Sequence, residues 1–274
     1  MGLVDFVNVD GIRVAYRQAG EGQPLVFLHG FTYSSYSFRH NIPILSQFSR
    51  VVCPDLVGHG LSDKPKRFDY SLSNQADLLK SFCEELKLDH IALGGCSMGG
   101  ALAMKMAMQH PDLVERLILV DSAGVDLDVR VPQTLLSIPV LSYFGALIAT
   151  HRFRKSTEAR MMWDESEASD ERDRYLEALN SRSVISAGIR NLRANKAFKL
   201  EGIDGIQQET LVVWGEVDPL FSSATARHLA EMIRNSRLIF LPDAGHLPNE
   251  EKPADFNQVV LDFLLKRIPS ATDK

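Results

Sequence analysis

Short runs that are apolar at every position recur along the chain, and they constrain its fold more than any other feature. Several lead directly into a polar residue, as at His29, Asp55 and Asp121. Runs of this length and character suit strands that are covered on both faces, as in a parallel sheet. The six runs span residues 25–28, 51–54, 91–95, 117–120, 211–214 and 238–241.

Helical patterns separate these runs. Met98–Gln109 is rich in alanine and methionine and stops just before Pro111, while 224–234 and 254–267 carry apolar residues at three- and four-residue spacing. Alternation of strands and helices predicts a mostly parallel, doubly wound α/β sheet. An N-terminal hairpin should precede it, because the dipeptide Asp10-Gly11 suits a type I′ turn between two strand-like runs.

The region 124–206 breaks this alternation. It carries helical patterns and charge clusters but no convincing strand. We therefore predict an α/β core at 1–123 and 207–274, with 124–206 inserted as a helical cap (lid). The apolar part of the insert, 131–150, is interpreted as a cap–core interface or as a wall for an apolar substrate. Contact with a membrane surface is a third alternative, because basic residues flank the stretch.

Charge and cysteine content exclude several classes of function. A formal net charge of -5 argues against a nucleic-acid surface, which needs a basic stripe. Cys53, Cys83 and Cys96 match neither a disulfide framework nor a zinc site. We see neither a signal peptide nor an apolar stretch long enough to span a bilayer. The expectation is a cytoplasmic protein, monomer or homodimer, with no stable membrane insertion, no nucleic-acid partner, no metal and no cofactor.

Residues 95–99 read Gly-Cys-Ser-Met-Gly and match the pattern G-x-S-x-G. The pattern alone is weak evidence, but here an apolar strand precedes it and a helix follows it, which is the context that a nucleophilic serine requires. Glycines on both sides allow the sharp turn, and the helix start directs its amide dipoles at negative charge forming beside Ser97. Ser97 is therefore the predicted nucleophile.

A serine hydroxyl needs a base to remove its proton during attack. Of the eight histidines, His246 fits best, because it follows the last apolar run and comes after the nucleophile in the chain. His29 and His59 lie in glycine-containing loops, which we expect them to fix by hydrogen bonding. The other histidines lie in helical or connecting segments, where a solvated or packed side chain is the ordinary state.

Asp218 is the predicted acid that orients His246, since it closely follows the penultimate apolar run. A carboxylate there can accept a hydrogen bond from the imidazole and stabilise its protonated form. Three rivals stay open: Asp121, which follows the run after Ser97; Glu216, which is close to Asp218; and Asp243, which is too near His246 in sequence to face its ring easily.

The oxyanion hole is predicted to consist of backbone N–H groups from Met98, which follows the nucleophile, and from Phe31, in the loop after residues 25–28. Gly30 would allow the backbone of that loop to approach the substrate closely, although a plain turn explains this glycine equally well. Cys96 lies one residue before Ser97 and is interpreted as a small buried residue.

With these motifs in place, the chain resembles the α/β-hydrolase superfamily over almost its whole length. The resemblance implies the α/β-hydrolase fold and serine-hydrolase chemistry on a small-molecule substrate. It rests on His-Gly-Phe at 29–31, Asp-Leu-Val-Gly-His-Gly-Leu-Ser at 55–62, Gly-Cys-Ser-Met-Gly-Gly at 95–100, Trp-Gly-Glu-Val-Asp at 214–218 and Gly-His at 245–246.

Departures from individual subfamilies narrow the expected reaction. Haloalkane dehalogenases and epoxide hydrolases carry an aspartate where this chain has Ser97. Carbon-carbon bond hydrolases of aromatic ring-cleavage pathways usually have a longer oxyanion loop, often an asparagine before the serine and a tryptophan after the histidine; here Cys96 and Leu247 occupy those positions. The closest resemblance is to bacterial carboxylesterases and small lipase-like esterases.

The expected function is cleavage of short- to medium-chain or aryl carboxylic esters through an acyl-enzyme. Carbon-carbon cleavage of a meta-cleavage product, a vinylogous diketone, is the alternative that keeps the same triad. A ligand-binding protein on a hydrolase scaffold is a second alternative, and thioester or peracid chemistry is compatible with the same residues.

Overall fold

The computed structural model describes residues 4–125, 170–195 and 198–266. An eight-stranded sheet forms its centre, with strand order β1-β2-β4-β3-β5-β6-β7-β8. The pairs β1/β2 and β2/β4 are antiparallel, whereas all pairs from β4 to β8 are parallel. The strands are β1 Asp5–Val9, β2 Ile12–Ala19, β3 Pro24–Leu28, β4 Arg50–Pro54, β5 Ile91–Cys96, β6 Val114–Val120, β7 Glu209–Gly215 and β8 Ser236–Leu241.

Both faces of this sheet are covered, which explains why the central strands are apolar at every position. In β3, Val26 and Leu28 pack into one core cluster with helices on that side, whereas Leu25 and Phe27 pack into the cluster on the opposite face. Successive side chains of a strand point to opposite faces, so each face receives half of the run. The prediction of a doubly wound, mostly parallel sheet is confirmed.

Helices connect the strands and cover the two faces. Serine N-caps begin three of them, where Ser71, Ser181 and Ser222 accept the N–H of the residue three positions on. The helices are α1 Ile42–Leu45, α2 Leu72–Glu85, α3 Met98–Gln109, α4 Asp170–Asn180, α5 Arg182–Ala194, α6 Ser223–Met232, α7 Pro248–Glu251 and α8 Pro253–Leu264, with short 3₁₀ helices at Ser35–Phe38 and Ile203–Gly205.

The elements predicted from the sequence occur close to their predicted places. Each of the six apolar runs lies in a strand, and Asp10 and Gly11 form the hairpin turn with φ values of 50° and 81°, as a type I′ turn requires. The predicted helix 98–109 coincides with α3, and those at 224–234 and 254–267 begin one residue earlier and end two or three residues sooner. No prediction named α2, although its buried Leu72, Ala76 and Leu79 follow helical spacing.

The described part of the insert includes the helices α4 and α5, which contact the loops at one edge of the sheet. Tyr175 of α4 is buried and its hydroxyl lies 3.0 Å from Ser35 Oγ, while Ala187 of α5 packs with Val57 and Tyr70. The predicted cap boundaries of 124 and 206 stay a prediction. The apolar stretch 131–150, with its three interpretations, lies outside the described residues. Among the helices that are described, none is long and apolar enough to cross a bilayer.

Candidate active site

The carboxyl ends of the parallel strands meet at one edge of the sheet, and the predicted site residues lie there. Phe31 follows β3, Ser97 follows β5, Asp218 follows β7 and His246 follows β8. Asp121, the rival acid, comes directly after β6. Residues far apart in sequence meet at this edge because adjacent parallel strands end side by side.

Ser97 occupies the sharp turn between β5 and α3. Its backbone has φ 52° and ψ -116°, a left-handed conformation that a non-glycine residue rarely adopts. Within residues 91–100, Ser97 is half-buried while every neighbour is buried. The strained turn therefore exposes the side chain of Ser97 in a segment that is otherwise buried.

Glycines around Ser97 are required by close packing of the backbone. An added Cβ on Gly95 would lie 2.2 Å from the carbonyl oxygen of Gly99, and one on Gly99 would lie 2.3 Å from the carbonyl oxygen of Leu28. Both obstacles are main-chain atoms, which cannot rotate away as a flexible side chain can. The turn thus packs directly against the end of β3, where the predicted oxyanion loop begins.

The Gly95→Ala variant is expected to lose about 3 kcal/mol of unfolding free energy, because the new methyl group has no space beside the Gly99 carbonyl. Urea denaturation measures this loss. Gly205→Ala is the matched control, since nothing lies within 4 Å of its added Cβ and its φ is not positive. Equal unfolding midpoints for the two variants would contradict this account of the turn.

His246 and Asp218 form a hydrogen-bonded pair. The distance from His246 Nδ1 to Asp218 Oδ2 is 2.8 Å, and their side chains are 6% and 0% exposed. An Nδ1–H bond to a carboxylate leaves Nε2 as the basic nitrogen of the ring. The ring of Phe221 packs edge-on against the imidazole, with centroids 4.9 Å apart, and restricts its rotation.

Asp218 is held as a carboxylate by several donors. Its Oδ1 accepts the N–H groups of Leu220 at 2.7 Å and of Phe221 at 3.2 Å. Burial by itself would raise its pKa, but the hydrogen bond and charge of His246, together with hydrogen bonds from Asp121 and Leu220, outweigh burial and lower the pKa below its ordinary value. An ionised acid beside the imidazole is what stabilises an imidazolium.

The rival acids differ in their surroundings. Glu216 and Asp243 are exposed, so neither side chain is enclosed with His246. Asp121 is fully buried, and it offers an oxygen within the same 4.8 Å cluster as atoms of Asp218 and His246. Geometry therefore pairs Asp218 with the histidine and keeps Asp121 beside the pair.

The predicted oxyanion loop lies against the nucleophile. A Cβ built on Gly30 would be 3.5 Å from Ser97 Cβ, which places this loop at the serine. Two contacts of His29 hold this loop in place: its Nε2 accepts the N–H of Leu56 at 2.9 Å, and its Nδ1 lies 2.8 Å from Gly30 O. Burial lowers the pKa of His29 to about 4, so the ring is neutral and can accept at Nε2.

Phe31 and Met98, the predicted oxyanion donors, lie on the two segments that meet at Ser97. Met98 is the first residue of α3, and the first N–H groups of a helix lack a carbonyl partner within it. The Phe31 ring packs against His59 and against α5, where a Cβ added to Gly188 would lie 3.1 Å from Phe31 Cζ. The assignment of both N–H groups as oxyanion donors stays a prediction.

Sequence reasoning missed Glu251, which fixes the histidine loop. Its two carboxylate oxygens accept the N–H groups of Gly245 at 2.7 Å and of Leu247 at 3.1 Å, the residues on either side of His246. The signal was an acidic residue in the first turn of the short helix α7, where it can reach back to the preceding backbone.

Cys96 is buried and its thiol contacts Asn249 Oδ1 at 3.6 Å. Burial raises the pKa of this thiol well above its ordinary value, and the Asp121 and Glu250 carboxyls raise it further, so it is not a thiolate. All three cysteines are free. The interpretation of Cys96 as a small buried residue agrees with these contacts.

Comparisons with known proteins agree with this fold. A family model described as the alpha/beta hydrolase fold matches residues 23–253. The 2-hydroxy-6-oxo-6-(2'-aminophenyl)hexa-2,4-dienoic acid hydrolase of Metapseudomonas resinovorans is 30% identical over 271 residues, covering 96% of this chain and 91% of that protein.

Two solved structures have a similar fold. A meta-cleavage product hydrolase from Pseudomonas fluorescens superposes with a TM-score of 0.77 at 26% identity, covering 96% of this chain and 98% of that one. The enol-lactonase from Burkholderia xenovorans superposes with a TM-score of 0.77 at 25% identity, covering 95% of this chain and all (100%) of that one. The similar proteins thus include hydrolases of meta-cleavage products or dienoic acids and an enol-lactonase.

Proposed function

The chain belongs to the α/β-hydrolase family, and from that premise we propose that it is a serine hydrolase that cleaves carboxylic esters through an acyl-enzyme. The observation that carries the proposal is the strained, accessible Ser97 at the strand–helix turn, at the same edge of the sheet as the hydrogen-bonded His246–Asp218 pair. Strained backbone of this kind persists only where the surrounding structure imposes it, and it is concentrated at active sites.

In the proposed reaction Ser97 Oγ attacks the acyl carbon while His246 Nε2 takes its proton. The N–H groups of Phe31 and Met98 stabilise the oxyanion, and His246 then protonates the leaving alcohol. Water repeats the cycle on the acyl-enzyme and releases the acid. Asp218 stays ionised throughout and stabilises the imidazolium, which agrees with its lowered pKa.

Hydrolysis of a carbon-carbon bond in a dienoate of the meta-cleavage type is the second candidate. It is favoured by the 30% identity to a hydrolase of this kind over nearly the whole chain. Against it stand Cys96 before the nucleophile and Leu247 after the histidine, positions where we expect asparagine and tryptophan in such enzymes. We therefore place ester cleavage first.

Burst kinetics test the proposed function. With a p-nitrophenyl ester of a short acyl chain, we expect a burst of nitrophenol equal to the enzyme concentration, and a peptide containing Ser97 that gains the mass of the acyl group. Ring-fission dienoates, assayed in parallel, should be cleaved more slowly, as judged by kcat/KM. Faster cleavage of the dienoates would favour the second candidate, and turnover of neither class would contradict the assignment as an ester hydrolase.

A further inference from the structure

Asp121 lies behind the His246–Asp218 pair and is not used in the proposed reaction. It follows β6 directly, is fully buried and adopts a left-handed backbone with φ 39°. Its N–H donates to Val213 O at 3.1 Å, and its carboxyl oxygens lie 3.1 Å and 3.3 Å from the donating N–H of Gly215. These contacts fix its carboxyl group between the ends of β6 and β7.

The carboxyl groups of Asp121 and Asp218 are close neighbours. One atom each from Asp121, Asp218 and His246 lies within 4.8 Å of the other two. Two ionised carboxylates this close in a buried site repel each other strongly, so such a pair shares a proton. The proton resides on the group with fewer donors around it.

Asp121 is that group. Asp218 receives hydrogen bonds from His246 and from the N–H groups of Leu220 and Phe221. Within the part of the chain that the structure describes, Gly215 is the one residue whose N–H donates to Asp121. Burial raises the pKa of Asp121 well above its ordinary value, and the Asp218 carboxylate raises it further.

Other ionisable groups face Asp121 from the neighbouring elements. The Glu251 carboxylate on α7 raises the Asp121 pKa as well, and the buried thiol of Cys96 on β5 carries no compensating charge. His246, after β8, is the cation-forming group of the cluster, and its Nδ1 is committed to Asp218. The surroundings of Asp121 therefore favour its neutral form.

We propose that Asp121 is a positioning residue of the triad, whose protonated carboxyl group donates a hydrogen bond to Asp218 and holds that carboxylate against His246. This inference rests on the proposed function of Ser97, His246 and Asp218. It assigns Asp121 a role different from that of a rival triad acid, because Asp121 acts as a hydrogen-bond donor and stays uncharged.

Two substitutions separate these roles. In Asp121→Asn, the amide nitrogen can donate to Asp218 and the amide oxygen can accept from Gly215 N–H, so this variant imitates the protonated acid. In Asp121→Ala both interactions are lost. We expect Asp121→Asn to keep kcat within about threefold of wild type, and Asp121→Ala to lower kcat by about 10- to 100-fold with little change in KM, as for other residues that orient a catalytic group.

The pH profile of kcat/KM supplies a readout that simple loss of packing would not move. Without the donor, the Asp218 charge is less dispersed and attracts the imidazolium more strongly, so the acid limb should move to higher pH in Asp121→Ala and stay in place in Asp121→Asn. Loss of activity in Asp121→Asn as severe as in Asp218→Asn would overturn the proposal and make Asp121 an ionised member of the triad. A wild-type rate and acid limb in Asp121→Ala would also overturn it.

The unfolding free energy, measured as a function of pH, tests whether Asp121 is protonated without any assay of activity. Folded Asp121 keeps its proton at pH values where the unfolded chain has released it, so its contribution to the unfolding free energy falls as pH rises above the ordinary aspartate pKa of 3.8. Asp121→Asn removes that contribution, and its stability relative to wild type should increase as pH rises. If the difference in unfolding free energy between Asp121→Asn and wild type stayed constant as the pH rose above 3.8, a protonated Asp121 would be refuted, whichever substrate the enzyme proves to cleave.

Discussion

Replacing Ser97 by alanine is expected to lower kcat for an activated aryl ester by about 10⁶-fold and to abolish the burst of alcohol. The reason is that covalent attack by the serine oxygen splits a difficult displacement into two easier steps, and alanine offers no oxygen to form the acyl-enzyme. Folding should be intact, because Ser97 is half-buried and the change removes one atom from an accessible side chain.

Single-turnover release of alcohol and the mass of the intact protein measure this effect, and circular dichroism verifies the fold. Cys96→Ala is the matched control: it removes a buried, protonated thiol one residue away and should keep the burst. An acyl adduct that persists in the Ser97→Ala variant would show that the nucleophile is elsewhere.

The Asp218→Asn variant is expected to lower kcat by about 10⁴-fold with KM little changed. An asparagine at this place fits the same space but presents either a neutral oxygen or an N–H to His246 Nδ1. In the second case the ring must carry its proton on Nε2, where it cannot act as a base. The Asp218 side chain is fully buried, so water does not replace the lost carboxylate.

Glu216→Gln is the control for this variant, since Glu216 is an exposed acid two residues away and its neutralisation should leave kcat within about twofold of wild type. Steady-state kinetics across pH would compare the two. If Asp218→Asn kept most of its activity while Asp121→Asn lost it, the acid of the triad would be Asp121, and the pairing seen at 2.8 Å would be a structural contact.

The strands could be predicted from the sequence because the composition of each strand reflects whether its two faces are covered. A strand covered on both faces must be apolar throughout, and this periodicity is local information. The hairpin at Asp10-Gly11 and the elbow at 95–99 are also local, since each depends on glycine at a position where other residues are strained. The nucleophile was therefore the easiest site residue to assign from sequence.

The sequence predicted Asp218 as the acid because it closely follows the penultimate apolar run, and it left Asp121, Glu216 and Asp243 as rivals. Asp218, Glu216, Asp243 and Asp121 all follow apolar runs, and strand order does not reveal which carboxyl group turns towards His246. Exposure separated Glu216 and Asp243 from the other two. Hydrogen-bond distances then assigned the histidine to Asp218.

Some contacts at the site could not be read from the sequence because they depend on loops packed from distant parts of the chain, although an acidic residue in the first turn of α7 was a local signal for one of them. Glu251 holds the backbone on both sides of His246, and α5 packs on Phe31 from the far end of the insert. These contacts follow from the way the loops fold over the sheet edge, which no local pattern encodes.

By itself, then, the sequence determined the strands, three of the helices (α3, α6 and α8), the serine at the elbow and the histidine after the last strand, because local apolar periodicity and glycine placement encode them. Only the tertiary structure distinguished Asp218 from its rivals, by pairing it with that histidine, and put a second, buried carboxyl group, that of Asp121, behind the pair. The physical reason is that burial and hydrogen bonding, which decide where a proton resides, belong to neighbours brought together in space: Asp121 and Asp218 are 97 positions apart in the chain yet within 4.8 Å in the fold.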